Sequence, residues 1–399
     1  MPIFVFIQTI ASRIIIGIIA LLAALGLGVV SSSPSDLSIQ KDVPQEIQEI
    51  VTPAQEVPIY PQDTPVVPEK DTKIVPEKEE KVLVPKKEPD DQLGRKAELS
   101  EDVISPADEI EIESPLSFSQ INTETTGTLV NILCTQKVVG AATPITGSGV
   151  IIDPRGAVIT NAHVAQFFLL KDYPVEDALE CILRTGSPAR HTYTAELLHI
   201  SPEWVRIHAN DITNSEAKGT GEHDYAFLRI TGRTDPDAAL PTTFPFVPID
   251  INSHAIETGD FVLAAAYPAG FLGGISIQRD LYSVSSVATV GERFTFFENT
   301  IDLFSIGGTV VSQGGSSGGA VVSDKNKLIG VIVTSTQADT TSERDLRAIT
   351  LGHIDRALTE HIQTTVEGLL FGNLELKAKL FNLGTAPRLT NMLLEHLIK

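Results

Sequence analysis

Two cysteines in 399 residues are too few to build a scaffold from disulfides, so any fold here rests on an apolar core. Basic residues are also short, 30 Lys and Arg against 51 Asp and Glu. The resulting net charge of −21 excludes nucleic acid as a partner, because a polyphosphate needs clustered cations. No His-Glu-x-x-His occurs, and the nine histidines show no ligand spacing with Cys or Asp, so neither a metal nor any other cofactor is expected. Aromatic residues nearly vanish between Pro34 and Pro115, a stretch that holds half of the 24 prolines together with dense Glu and Lys. Such a composition cannot bury a core.

Long apolar runs are missing as well, with one exception. Ile14 to Val30 carries no charge and follows Arg13, and the next basic residue is Lys41. The run is at the short end of the roughly 17 to 25 residues that span a bilayer, and the flanking charge puts the N-terminus in the cytoplasm and the rest of the chain outside. A cleaved signal peptide, leaving a secreted chain, is the alternative. An uncleaved anchor is preferred because the run is longer than the roughly 7 to 15 apolar residues of a signal peptide and its exit, Val29-Val30-Ser31-Ser32-Ser33, holds no Ala-x-Ala.

These shifts divide the chain into an anchor at 1–33, a Pro/Glu/Lys-rich linker at 34–117, a β-rich domain at 118–365 and a helical tail at 366–399. Within the linker, Val67-Pro68-Glu69-Lys70, Val75-Pro76-Glu77-Lys78 and Val84-Pro85-Lys86-Lys87 form a degenerate repeat. Regular proline favours extended polyproline II at about 3.1 Å per residue, so this segment reads as a semi-rigid stalk.

After Phe118 short apolar runs alternate with turn signals. Leu129–Val139, Gly147–Asp153, Ala157–Thr160, Leu179–Thr185, His191–Ile200 and Tyr225–Ile230 read as strands of one barrel within about 122–235. Asp260–Ala266, Ile275–Gln278, Leu281–Val290, Phe294–Phe304, Ala320–Ser323, Leu328–Thr334 and Leu346–Thr350 read as strands of a second, within about 255–357. Ile354–Leu370, Leu374–Leu383 and Arg388–Ile398 have helical spacing, and packing against the second barrel is their simplest use. Cys134 and Cys181 fall in neighbouring strands of the first barrel; one bridge and two separate core thiols both stay open.

Three short motifs carry chemistry. Gly314-Gly315-Ser316-Ser317-Gly318-Gly319-Ala320 sets a serine among glycines, as a backbone that cradles an oxyanion requires. Thr160-Asn161-Ala162-His163-Val164 supplies an imidazole after a strand, and His223-Asp224-Tyr225-Ala226-Phe227-Leu228 supplies a carboxylate before one. A serine hydroxyl is a poor nucleophile until an imidazole accepts its proton, and that imidazole needs an acceptor to fix its tautomer. The roles expected are nucleophile for Ser317, general base for His163 and orienting acid for Asp224. The N–H groups of Gly315 and Ser317 form the oxyanion hole, and losing one such donor typically costs about 2.7 to 4 kcal/mol of transition-state stabilisation.

These motifs, in the order His, Asp, Ser, resemble the trypsin-like, chymotrypsin-fold serine proteases, most closely their bacterial HtrA-like branch. Gly147-Ser148-Gly149-Val150, Gly259-Asp260-Phe261-Val262 with Tyr267-Pro268, and Leu328-Ile329-Gly330-Val331 add to the resemblance, which covers about Asn122 to Ala357. It implies an all-β protein of two six-stranded Greek-key barrels with the triad between them, acting as an endopeptidase on unfolded or extracytoplasmic polypeptides.

The resemblance also places Val311 at the base of the primary specificity pocket, with Ile332, Val333 and Thr334 as one wall. No acid stands at that base, so small or medium apolar side chains are expected rather than Lys or Arg. Ser316 stands where zymogen-activated enzymes have an aspartate, and the stretch after Ala357 is too short for a PDZ domain. The rival from another class is a silent barrel that binds peptides as a membrane-tethered adaptor. Oligomeric state has no signature in the sequence.

Overall fold

The computed structural model describes residues 116–397, apart from 138–143, 213, 215–219, 298, 336–337 and 339. The apolar run and the proline-rich stalk lie outside the described residues. Among those described, no helix is long and apolar enough to cross a membrane.

The domain opens with α1 (Phe118–Thr128), whose N-terminus is closed by a capping box in which Ser117 and Gln120 satisfy each other's backbone N–H groups. There follow β1 (Leu129–Gln136), β2 (Ile145–Asp153), β3 (Ala157–Thr160), the single-turn α2 (Ala162–Ala165), β4 (Leu179–Thr185), β5 (Arg190–Ile200), α3 (Pro202–His208) and β6 (Ala226–Arg233). These six strands close a barrel in the order β1-β2-β3-β6-β5-β4, with β4 returning to β1. Closure leaves no free edge for another chain to pair with. At the seam Cys134 lies directly opposite Cys181, and the two are joined by a disulfide. Barrel register therefore decides between the two states the sequence left open.

The second half contains β7 (Phe261–Ala266), α4 (Gly274–Arg279), β8 (Val284–Thr289), β9 (Arg293–Phe294), β10 (Leu303–Ser305), β11 (Ala320–Ser323), β12 (Leu328–Ser335) and β13 (Leu346–Thr350). It forms a seven-stranded sheet, β8-β7-β11-β12-β13-β10-β9, rather than the closed six-stranded barrel expected. Two of the expected strands differ. Gly274–Arg279 is a helical turn because its last carbonyls are drawn to cations of the first barrel. The Gln278 and Arg279 carbonyls accept from Arg184 and Arg190, where a helix C-terminus favours positive charge. Phe294–Phe304 splits into β9 and β10 because the buried Asp302 carboxylate accepts from the Phe296 N–H and the Thr300 hydroxyl and folds the chain between them into a turn.

After β13 come α5 (Leu351–Ile362), α6 (Val366–Leu370), α7 (Leu374–Gly384) and α8 (Ala386–Leu397). The expected 354–370 helix breaks at Gln363, which takes a left-handed conformation at φ 57° and caps α5. Of these, α5 packs on β12 and β13 of the second sheet. Contrary to the simplest expectation, α7 lies on β5 and α8 on α3, both in the first barrel. Ala386, Leu389 and Leu393 join that barrel's apolar core, and Arg155 holds the Leu370 and Gly372 carbonyls at 2.6 and 2.7 Å. A second core fills the sheet, and a third, running from Leu133 and Ile152 through Tyr225 and Tyr267 to Ile349 and Ile354, joins the two halves.

Candidate active site

His163 and Asp224 meet because β3 and β6 are paired, with Thr160 opposite Ala226 at the strand ends. Asn161 follows β3 and its amide donates to the Asp224 backbone carbonyl at 2.9 Å, so the residue before the helical turn also holds the aspartate's main chain. The Asp224 carboxylate then takes two bonds from one residue. One oxygen accepts the His163 backbone N–H at 2.9 Å and the other faces Nδ1 at 2.7 Å. An acceptor at that distance puts the ring proton on Nδ1 and leaves the Nε2 lone pair free. Burial pulls the His163 pKa down, but the charge of Asp224 and its hydrogen bond outweigh that, and the net shift is upward.

The residue before the aspartate, His223, has a left-handed backbone at φ 60°. Burial, with further repulsion from His361 and His353, pushes its pKa down to about 4. At neutral pH no cation therefore stands next to Asp224 to compete for its charge.

The serine loop is held carbonyl by carbonyl. The Gly314 carbonyl accepts from Ala269 N–H at 2.7 Å, Gly315 from the Ser148 hydroxyl at 2.8 Å, Ser316 from Gly319 N–H at 2.9 Å, and Ser317 from Ser148 N–H at 2.7 Å. Ser316 N–H donates to the Gln313 carbonyl and Gly318 N–H to the Ile332 carbonyl. Gly315 N–H and Ser317 N–H bond to nothing among the described residues. Because a trans amide points its N–H opposite its C=O, anchoring the Gly314 carbonyl on Ala269 turns Gly315 N–H the other way. Two unpaired donors thus alternate with two tied ones, the pattern of an anion cradle.

Glycine is required at two of these positions. Gly315 has φ +91°, a left-handed conformation, and Gly318 brings the loop so close to the first barrel that an added Cβ would lie 2.0 Å from the Ser148 carbonyl oxygen. Ser316 is buried, and its hydroxyl donates to the Val311 carbonyl at 2.5 Å, so a neutral hydrogen bond fixes the loop there. The Ser317 side chain is half-buried and forms no hydrogen bond with His163 in this structure.

The residues expected to shape the specificity pocket are on β12 and just ahead of the serine loop. Val311 and Ile332 are fully enclosed in the core of the second sheet, Val333 faces the joint core, and Thr334 pairs with Arg347 in the β12–β13 ladder. Among the described residues, no group of three or more His, Cys, Asp or Glu is arranged to hold a metal. Sequence reasoning missed Ala269 and saw Asn161 and Ser148 only as parts of motifs. A serine between two glycines in an apolar strand was the one available signal, since a polar group there must find partners.

Residues 147–331 match the trypsin-like peptidase domain family. Among solved structures, the chain is similar to the serine endoprotease from Yersinia pestis at 21% identity, covering 63% of this chain and 68% of that one with a TM-score of 0.38. It is also similar to Deg5 at 14% identity, covering 62% of this chain and 96% of that one with a TM-score of 0.41. No curated protein sequence matches it.

Proposed function

We propose, from the match of residues 147–331 to the trypsin-like peptidase domain, that the chain is a serine endopeptidase in which Ser317 attacks the scissile carbonyl, His163 takes and returns its proton, and Asp224 holds the imidazole. The observation that carries the proposal is the serine loop, whose Gly315 and Ser317 N–H groups are unpaired while the carbonyls around them are all tied. In the reaction, the Ser317 hydroxyl proton moves to His163 Nε2 as Oγ bonds to the carbonyl carbon. The negative charge then formed on the carbonyl oxygen meets the two N–H donors. The imidazolium, stabilised by Asp224, delivers the proton to the leaving amine and an acyl-enzyme remains; water repeats the steps to release the acid and free Ser317. Ground-state catalytic hydrogen bonds are often unformed without substrate, which is consistent with the separate Ser317 hydroxyl.

The substrate is an extended polypeptide, and the P1 side chain is small or medium and apolar, since Val311 offers no carboxylate to a Lys or Arg. The domain sits outside the cytoplasmic membrane behind the 14–30 anchor. The Cys134–Cys181 disulfide supports that location, because such bonds persist in oxidising compartments.

A membrane-impermeant fluorophosphonate added to intact cells tests these statements together. Labelling at Ser317, lost in Ser317→Ala, is the expected result. Labelling only after lysis removes the extracytoplasmic location, and none in either condition removes the protease reading in favour of a silent, peptide-binding barrel. Cleavage of a peptide library mainly after Lys or Arg removes the specificity reading.

A further inference from the structure

Ser148 lies on β2, in the first barrel, far in sequence from the serine loop it touches, and is fully buried. All of its polar groups are engaged, its N–H and hydroxyl across the joint between the halves and its carbonyl within the first barrel. Its N–H donates to the Ser317 carbonyl at 2.7 Å, its hydroxyl donates to the Gly315 carbonyl at 2.8 Å, and the same oxygen accepts the Tyr267 N–H, at the end of β7, at 2.9 Å. Its carbonyl accepts the Thr160 hydroxyl at 2.7 Å, three residues before His163. One residue thereby binds the strand leading to the base, the end of the strand beneath the loop, and both residues whose N–H groups are free.

We propose that Ser148 is a positioning residue that sets the oxyanion hole, an inference that rests on the protease reading above. Two features of the bonding lead to it. The Gly315 carbonyl has only the Ser148 hydroxyl as a partner among the described residues, so that side chain, with the Ser316 N–H bond to Gln313, sets the Gly315–Ser316 peptide that links the two donor peptides. Tyr267 N–H donates to that hydroxyl, whose own hydrogen is directed at the Gly315 carbonyl. The clamp also comes from the barrel that carries His163 and Asp224. The anion cradle on one half is thus held in register with the base on the other by a buried side chain, as preorganised electrostatic stabilisation requires.

Removing the hydroxyl leaves the triad intact and loosens the cradle. In the full-length chain, Ser148→Ala should lower kcat for an apolar peptide by about tenfold or more, approaching the 10²-fold typical of losing an oxyanion donor, with KM within about twofold. A peptide boronate, whose tetrahedral adduct at Ser317 sets an oxygen between the two N–H groups, should bind Ser148→Ala at least about tenfold more weakly than the unaltered chain. Binding of the unreactive product peptide should stay unchanged. Ser148→Thr, which keeps the hydroxyl, should recover most of the kcat. If Ser148→Ala does not fold, Ser148→Cys, nearly the same in volume but a weak donor, takes its place in every comparison. An unaltered chain that does not react with fluorophosphonate overturns the protease reading and this inference with it. A reactive unaltered chain overturns the role of Ser148 alone if kcat is unchanged in the variant, or if boronate and product peptide lose affinity equally.

Discussion

Among the described residues three histidine–aspartate pairs are joined Nδ1 to carboxylate oxygen, the part-buried His208–Asp211 within one helical turn and two that tie distant segments, and these two differ in what surrounds the other ring nitrogen. In His163–Asp224 the contact is 2.7 Å and the side chains are 35% and 10% exposed. In His353–Asp302 it is 3.1 Å and they are 2% and 0% exposed. The first histidine leads out of β3 on a single helical turn, and among the described residues its Nε2 has no hydrogen-bond partner. The second is the third residue of α5; its Nε2 is buried and has no partner in the structure. Asp302 has further ties to Thr300, Phe296 N–H and Arg356, and joins α5 to the β9–β10 turn. Geometry within a pair therefore does not distinguish a base from a brace. Access to the second nitrogen and the number of bonds spent on the carboxylate do.

The largest effect that separates the two pairs is on turnover. Asp224→Asn should reduce kcat by about 10⁴, the cost of the wrong imidazole tautomer, with little change in the urea midpoint. Asp302→Asn should leave kcat per folded molecule within a few-fold. If the second variant loses as much turnover as the first, the distinction between base and brace collapses.

Next in size is stability. Asp302→Asn leaves His353 and Arg356 facing a neutral amide in a buried site and should cost about 3 kcal/mol by urea unfolding, against less than about 1 kcal/mol for Asp224→Asn. The pH dependence sharpens this. Burial opposes ionisation of Asp302, but hydrogen bonds from His353, Thr300, Phe296 and Arg356 outweigh it and hold the carboxyl far below its ordinary value. The stability it contributes is present above the ordinary carboxylate pKa of about 3.9 and is lost as pH falls through the depressed value, a decline that Asp302→Asn should abolish.

The smallest effect concerns His163, whose pKa is raised. A base must be neutral, so kcat/KM should fall as pH drops through a limb lying above the ordinary imidazole pKa of about 6.5, and Asp224→Asn should move that limb down. Stability runs the other way: the pair's contribution is full below the unfolded pKa and is lost as pH rises through the folded one. A limb unmoved by Asp224→Asn would mean that another group controls activity.

The triad candidates each lie in a short motif at a strand end, and the structure brings two of them, His163 and Asp224, into contact. The strands of the first barrel were legible because apolar alternation and turn residues are local signals. What escaped notice depends on distant partners. Gly274–Arg279 has an alternating pattern that suits a strand, and only Arg184 and Arg190 from the other half make it a helix. Ser148 and Ala269 act through carbonyls far along the chain; the glycines on either side of Ser148 are the one local signal, and nothing near Ala269 marks its role. The disulfide waited on the β1–β4 register, and the side of the molecule that α7 and α8 cover was settled by apolar contacts with the first barrel.

That last placement bears on the order in which the molecule can be completed during synthesis. Thr390 bonds to the carbonyl of Leu169, 221 positions upstream, and Asn382 reaches Leu197 across 185. The half that carries the base and its carboxylate is translated early, yet part of its interior is supplied by residues translated after the nucleophile. A ribosome-bound chain that has released both halves still lacks Ala386, Leu389 and Leu393, so its first barrel has an apolar gap until the tail emerges. Assembly of the base in its final, fully packed surroundings is thus deferred until the tail has left the ribosome.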